Sequence, residues 1–173
     1  MIEVPATSVT TYSATGVDGM TTYRLLVALP ASASNVYVLA GTPDGELAMP
    51  PAYQVALPFG VDFGGISPDF FPFSTEAEFD SWLTVGMTDG SEFSALGASP
   101  GLGLDAWTAE AELRTNDGAV FWMSPADAPG GNVVVAQLTV GSSDSGTMTG
   151  GLQGRSNGGA DDWQVAQVTW SFP

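Results

Sequence analysis

Few side chains of this sequence could carry out chemistry, because the chain contains no histidine, cysteine or lysine. Without them it cannot build a serine–histidine–aspartate triad, a cysteine–histidine pair or a lysine Schiff base. The chemistry that remains uses carboxylates, in glycoside hydrolysis, in an aspartic dyad or as oxygen ligands of a metal. We therefore expect that the protein is not an enzyme, with a carboxylate-only glycoside hydrolase as an alternative.

Acidic residues near two tryptophans are the candidates for glycoside hydrolysis: Glu76, Glu78, Asp80, Glu110 and Glu112. Hydrolysis requires two carboxylates about 5–10 Å apart in a cleft that separates their pKa values. The interpretation that we favour is that these residues lie in the first turns of short helices, where the helix dipole favours negative charge. The sequence leaves both interpretations open.

Two further acidic motifs lie in polar, glycine-rich stretches. The triplet Asp144-Ser145-Gly146 matches the active-site triplet of aspartic proteases, but it occurs once and is typical of a hairpin tip. The spacing of an EF-hand loop is absent. Asp161 and Asp162 are the candidate ligands for a calcium site of another kind, and we expect no other cofactor.

Aromatic residues beside polar turns are the main indication of a binding surface. Exposed rings can stack on sugars or anchor a partner protein. The candidate binding residues are Trp82, Trp107, Trp163, Phe70 and Phe71. For any single one of these rings, however, we expect burial in the core more often than exposure, because large aromatic side chains are mostly buried.

Short strands must position these residues, because 22 glycines and 12 prolines divide the chain throughout its length. Alternating apolar and polar residues predict strands, most clearly at 21–29, 132–140, 146–154 and 163–172. Weaker patterns predict strands at 35–40, 53–57, 79–87 and 119–123. Four Asp-Gly pairs and one Asn-Gly pair predict tight turns between strands.

The segment 58–73 differs from the rest, because its phenylalanines, glycines and prolines follow no period. We expect an ordered loop that packs on its own aromatic rings. A capping pattern at 75–78 predicts a helical turn. Together these patterns predict an all-β fold, an antiparallel two-sheet β-sandwich of jelly-roll or immunoglobulin-like topology, with one or two short helices. We expect one domain over residues 1–173, in which residues 1–20 form an edge strand or an extended arm.

The charge of the chain limits its partners. The chain has nineteen acidic residues and three arginines, which gives a net charge of −16. Nucleic acids and anionic membranes require clustered cations, so we exclude both as partners. No apolar run reaches the roughly 20 residues that span a bilayer. The expected partners are proteins, with glycans as an alternative.

Four segments carry a resemblance: PAYQVALPFG at 51–60, FDSWLTVG at 79–86, DGAVFWMSP at 117–125 and QGRS at 153–156. They resemble an uncharacterised β-rich module of marine microalgal proteins, over about residues 21–172. The resemblance implies an aquatic eukaryotic source, repetition of the module in longer chains and a role other than catalysis. It supplies no site residues.

These observations favour a structural or interaction module, a building block of a cell-surface, extracellular or shell-like protein assembly. A carbohydrate-binding module is the alternative. We expect an extracellular or cell-surface location. Residues 1–5 lack the basic region and apolar stretch of a signal peptide, which indicates a chain that is not secreted or a mature fragment.

Overall fold

Two antiparallel sheets packed face to face form the protein, and the computed structural model describes residues 2–158 and 161–173. The strands are β1 (Ala6–Ser13), β2 (Met20–Ala28), β3 (Val38–Gly41), β4 (Leu47–Met49), β5 (Trp82–Leu83), β6 (Leu96–Ala98), β7 (Leu113–Thr115), β8 (Gly118–Trp122), β9 (Asn132–Gly141), β10 (Gly146–Arg155) and β11 (Asp162–Phe172). Short 3₁₀ helices cover Pro68–Phe70, Thr75–Phe79, Gly90–Ala95, Pro100–Leu102 and Leu104–Ala106. The prediction of an all-β two-sheet sandwich with short helices is confirmed. In the part of the chain described, no helix has the length and apolar character needed to cross a membrane.

The first sheet has four strands in the order β1-β2-β9-β5. The second has seven, in the order β6-β8-β3-β10-β4-β7, with β11 paired to β10. Strand β1 lies at the edge of the first sheet, within the segment expected to be an edge strand or an arm. The turn before β2 ends at Gly19, whose φ of 71° suits a residue without a Cβ atom.

Alternating side chains of both sheets meet in one core. Leu25 and Val27 of β2 are fully buried, as is Trp170 of β11. The ring of Tyr23 stacks on Phe172 with a centroid distance of 5.5 Å, so a strand of each sheet contributes to this pair. Burial of such apolar surface is the main stabilising contribution to a sandwich of this kind.

A hydrogen bond also joins the two sheets. The pairing of β2 with β9 changes register between Leu25 and Leu26, which is a β-bulge. The carbonyl of Leu26 accepts a hydrogen bond of 2.8 Å from Nε1 of Trp170 in the opposite sheet. The buried indole N–H therefore has a partner, as a buried donor requires.

The long connection from β4 to β6 contains little regular structure. The predicted helical turn is present as Thr75–Phe79, but the predicted strand at 79–87 is reduced to Trp82–Leu83. The predicted strand at 53–57 is wrong. Its backbone N–H groups bond elsewhere, since Tyr53 donates to the Thr139 carbonyl and Val55 to a side-chain carboxylate.

Candidate functional site

The three tryptophans predicted as stacking faces are buried. The exposed fraction is 2% for Trp82, 2% for Trp107 and 4% for Trp163. The indole N–H of Trp107 donates to the Pro50 carbonyl at 2.8 Å, and that of Trp163 donates to two carbonyls. The expectation that these rings are exposed is wrong. Trp107 and Trp163 point into the core. Trp82 pairs opposite Gln137 of β9 and lines a cavity beneath the long connection from β4 to β6.

The two predicted phenylalanines lie on the long loop, and one of them is exposed. Phe70 is 46% exposed and contacts the edge of the Phe59 ring, whereas Phe71 is half-buried. Two residues that the sequence reasoning missed are more exposed than either, namely Leu57 at 87% and Phe73 at 77%. Their signal in the sequence was the adjacent prolines of a segment without periodicity. We call Leu57, Phe70 and Phe73 the loop surface.

A buried carboxylate fixes the loop that carries this surface. Asp80 is fully buried and accepts hydrogen bonds from the backbone N–H groups of Val55 at 2.8 Å, Val61 at 2.8 Å and Ser81 at 3.0 Å. Burial raises the pKa of Asp80 to about 7, although the three donors oppose this by stabilising the ionised form. The carboxyl thus ties both ends of the 55–61 segment to the start of β5.

The outer face of the four-stranded sheet holds the same loop through its backbone. Gln137 of β9 donates through Nε2 to the carbonyls of Glu78 at 3.0 Å and Asp80 at 2.9 Å. The neighbouring Thr139 donates to the carbonyl of Phe79. We call residues 54–81 the covering loop, because it hides this face of β9 from solvent.

An arginine of β2 lies between Gln137 and the Tyr12 ring of the edge strand. Arg24 of β2 donates to Oε1 of Gln137 at 3.1 Å and to the Thr88 carbonyl at 2.9 Å. Its guanidinium lies 4.0 Å from the centre of the Tyr12 ring, a cation–π geometry, and Tyr12 donates to Glu78 at 2.7 Å. A cavity of about 180 Å³ is lined by Tyr12, Arg24, Glu78 and Thr88 among others. Burial raises the pKa of Tyr12 and lowers that of Arg24.

The five acids considered for glycoside hydrolysis each have a partner within the protein. Besides Asp80 and Glu78, Glu76 accepts a bond of 2.8 Å from the hydroxyl of Tyr53, whose pKa is raised to about 12, first by burial and then by this bond. Glu110 accepts a bond from Thr108, and Glu112 pairs with an arginine. These contacts give each carboxylate a structural role.

The predicted calcium ligands are not joined by further acids. Asp162 Oδ1 lies 3.7 Å from a guanidinium nitrogen of Arg155, and Asp161 is exposed. Within residues 2–158 and 161–173, no group of three or more acidic side chains is placed to hold a metal ion. The triplet that begins at Asp144 lies at the tip of the β9–β10 hairpin, as the second interpretation of this motif expected.

Comparison with known proteins identifies no relative of this chain. No family model, no curated protein and no solved structure matches the chain. The resemblance to the microalgal module stays a prediction.

Proposed function

We propose that this chain is a non-enzymatic structural and interaction module that assembles with further copies of itself through the loop surface. The exposure of Leu57, Phe70 and Phe73 carries the proposal. Large apolar side chains that one loop exposes to water cost solvation free energy, and exposed apolar surface is typical of protein contact sites.

The rigidity of the loop supports this function. The bonds to Asp80 and from Gln137 hold the covering loop in one conformation before a partner arrives. A surface that is ordered in advance loses less conformational entropy on binding than a mobile loop does. The buried polar contacts therefore prepare the exposed apolar ones.

Charge determines the conditions of assembly. Each copy carries a net charge of −16, so two copies repel each other at low ionic strength. At about 0.5 M salt the Debye length falls to roughly 4 Å, and the apolar contact then dominates. Association should therefore increase with salt, which is the opposite of the behaviour of an interface built from ion pairs.

The test is size-exclusion chromatography with light scattering at several protein and salt concentrations, with and without calcium. We expect the wild type to associate more strongly as salt rises, and the double variant Leu57→Ser/Phe73→Ser to remain monomeric. Met123→Ser is the matched control, because Met123 is 65% exposed after β8, outside the loop surface. A wild type that stays strictly monomeric under all conditions would contradict the proposal.

An assembly of this kind fits the expected cell-surface, extracellular or shell-like setting. Seawater and similar fluids supply the ions that screen the negative charge of each copy. The location of the protein remains a prediction, which labelling of the native protein in its cell would check.

A further inference from the structure

A cleft of about 590 Å³ lies at one end of the sandwich, where β2 begins and β9 and β11 end. Met20, Val140 and Phe172 contribute to its apolar lining, and Tyr53 and Asp144 line it as well. Sites for small ligands in proteins typically enclose about 300–1,000 Å³ and combine apolar walls with a few polar groups. The cleft has the size and the mixture of such a site.

The Tyr53 ring is fixed in this cleft by groups at both ends of the residue. Its hydroxyl donates to Glu76 at 2.8 Å, and its backbone N–H donates to the Thr139 carbonyl at 2.8 Å. An aromatic ring held in this way is an ordered apolar surface for stacking. The residue lies beside Pro50 and Pro51, which also line the cleft.

The β9–β10 hairpin supplies the polar rim. Its residues Ser143, Asp144 and Ser145 line the cleft and are exposed. The Asp144 carboxylate lies over Gly141, where an added Cβ atom would be 2.5 Å from Oδ2. A side chain at position 141 would therefore displace the carboxylate from this position. The rim offers two hydroxyls and one charged acceptor for a ligand.

The chemistry of the lining selects the ligand class. Its charged group is Asp144, and it includes no arginine, so an anionic ligand would be repelled. A neutral sugar presents C–H faces that stack on an aromatic ring and hydroxyls that donate to a carboxylate. A peptide that binds by strand addition would instead need an open strand edge to pair with, and the strands end here. We propose that this cleft binds a neutral oligosaccharide, independently of the loop surface.

Calorimetric titration of the purified protein tests the proposal. The probes are neutral pentasaccharides of β-1,3-glucan, β-1,4-glucan and mannan, with a sulfated galactan oligosaccharide and a proline-rich decapeptide for comparison. We expect saturable binding of at least one neutral glycan and none of the sulfated one. Binding heat from the decapeptide alone would overturn the proposal in favour of a peptide groove. The absence of binding heat from every neutral glycan would also overturn it.

Variants locate the binding. Asp144→Ala should weaken it roughly tenfold, which is the usual effect of losing a hydrogen bond to a charged group. Asp44→Ala, at an exposed acid in the turn before β4, is the matched control and should change nothing. Tyr53→Ala should abolish binding, whereas Tyr53→Phe keeps the ring and most of the affinity. Thermal unfolding separates a lost ligand from a lost fold. Binding that all these variants leave unchanged would contradict the assignment to this cleft.

Discussion

Strands β9 and β11 are both long but differ in their surroundings. In β11 buried residues alternate with exposed ones along much of its length, whereas in β9 every residue from Val133 to Val140 is buried. Each strand lies in one of the two packed sheets and turns one face to the core. The difference is the covering loop, which lies over the second face of β9 and leaves that of β11 to solvent.

The comparison teaches how a polar face can be buried. The outward residues of β9 include Gln137 and Thr139, which are polar like the outward Gln167 and Thr169 of β11. On β9 their hydrogen bonds go to carbonyls of the covering loop, so burial leaves no donor unpaired. The loop is attached by polar bonds on one side and exposes apolar side chains on the other.

Removing the carboxylate that fixes the loop should have the largest effect. We expect Asp80→Ala to lower the free energy of unfolding by about 4 kcal/mol, because three backbone donors lose their buried acceptor. Urea denaturation measures this. The control Asp69→Ala removes an exposed acid of the same loop and should change stability by less than about 0.5 kcal/mol. Equal effects of the two variants would show that the buried contacts do not hold the loop.

Titration of the Asp80 carboxyl should also make the free energy of unfolding depend on pH. In the unfolded chain Asp80 has the ordinary pKa of 3.8, and in the folded protein the pKa is about 7. Between these values the folded state retains a proton that the unfolded state has released, so the free energy of unfolding falls as pH rises and levels off above about 7.

Comparison with Asp80→Asn isolates this contribution, because the variant lacks the titrating group while other acids remain. The wild-type stability minus that of the variant should decrease by a few kcal/mol between pH 4 and 7. A difference that is constant across this range would mean that the three N–H donors outweigh burial.

A matched pair of glutamines compares the two strands directly. Gln137→Ala should cost about 2 kcal/mol, because Arg24 and two loop carbonyls lose their partner. Gln167→Ala, on the open face of β11, should cost less than about 0.5 kcal/mol. Chemical denaturation of both variants checks this, and similar costs would remove the distinction between the two faces.

The smallest effect on stability is expected at the loop surface itself. Leu57→Ser and Phe73→Ser replace side chains that are 87% and 77% exposed, so the free energy of unfolding should change by less than about 0.5 kcal/mol. Thermal and urea unfolding of each variant would show this. A large loss of stability would mean that these residues support the loop and do not serve contact alone.

Much of the fold could be predicted from the sequence, because alternation reports which residues share a face of a strand. The patterns at 132–140 and 163–172 identify β9 and β11 within a few residues. They could not reveal that one outer face is covered, because Gln137 and Gln167 look alike in sequence. Coverage depends on loop carbonyls that approach from residues 78–80, more than 50 positions away.

The candidate surfaces were harder to predict. The sequence around a tryptophan in a short strand or loop looks the same whether its ring points inward or outward. For this reason the sequence places Trp82, Trp107 and Trp163 on a surface that they do not reach. Phe70 is among the predicted candidates and is exposed, whereas Leu57 is not among them, because the neighbouring Pro58 is its only local signal. The role of Asp80 depends on donors 19 and 25 residues away.

The bond between Trp170 and the Leu26 carbonyl also has a mechanical consequence. A slide of one sheet over the other by one residue, about 3.4 Å, would break this bond. It would leave the indole N–H and the carbonyl without a partner in an apolar interior. The bond therefore adds to the interdigitated side chains in fixing the offset between the two sheets. A force applied along the strands should therefore meet resistance to shear at this point.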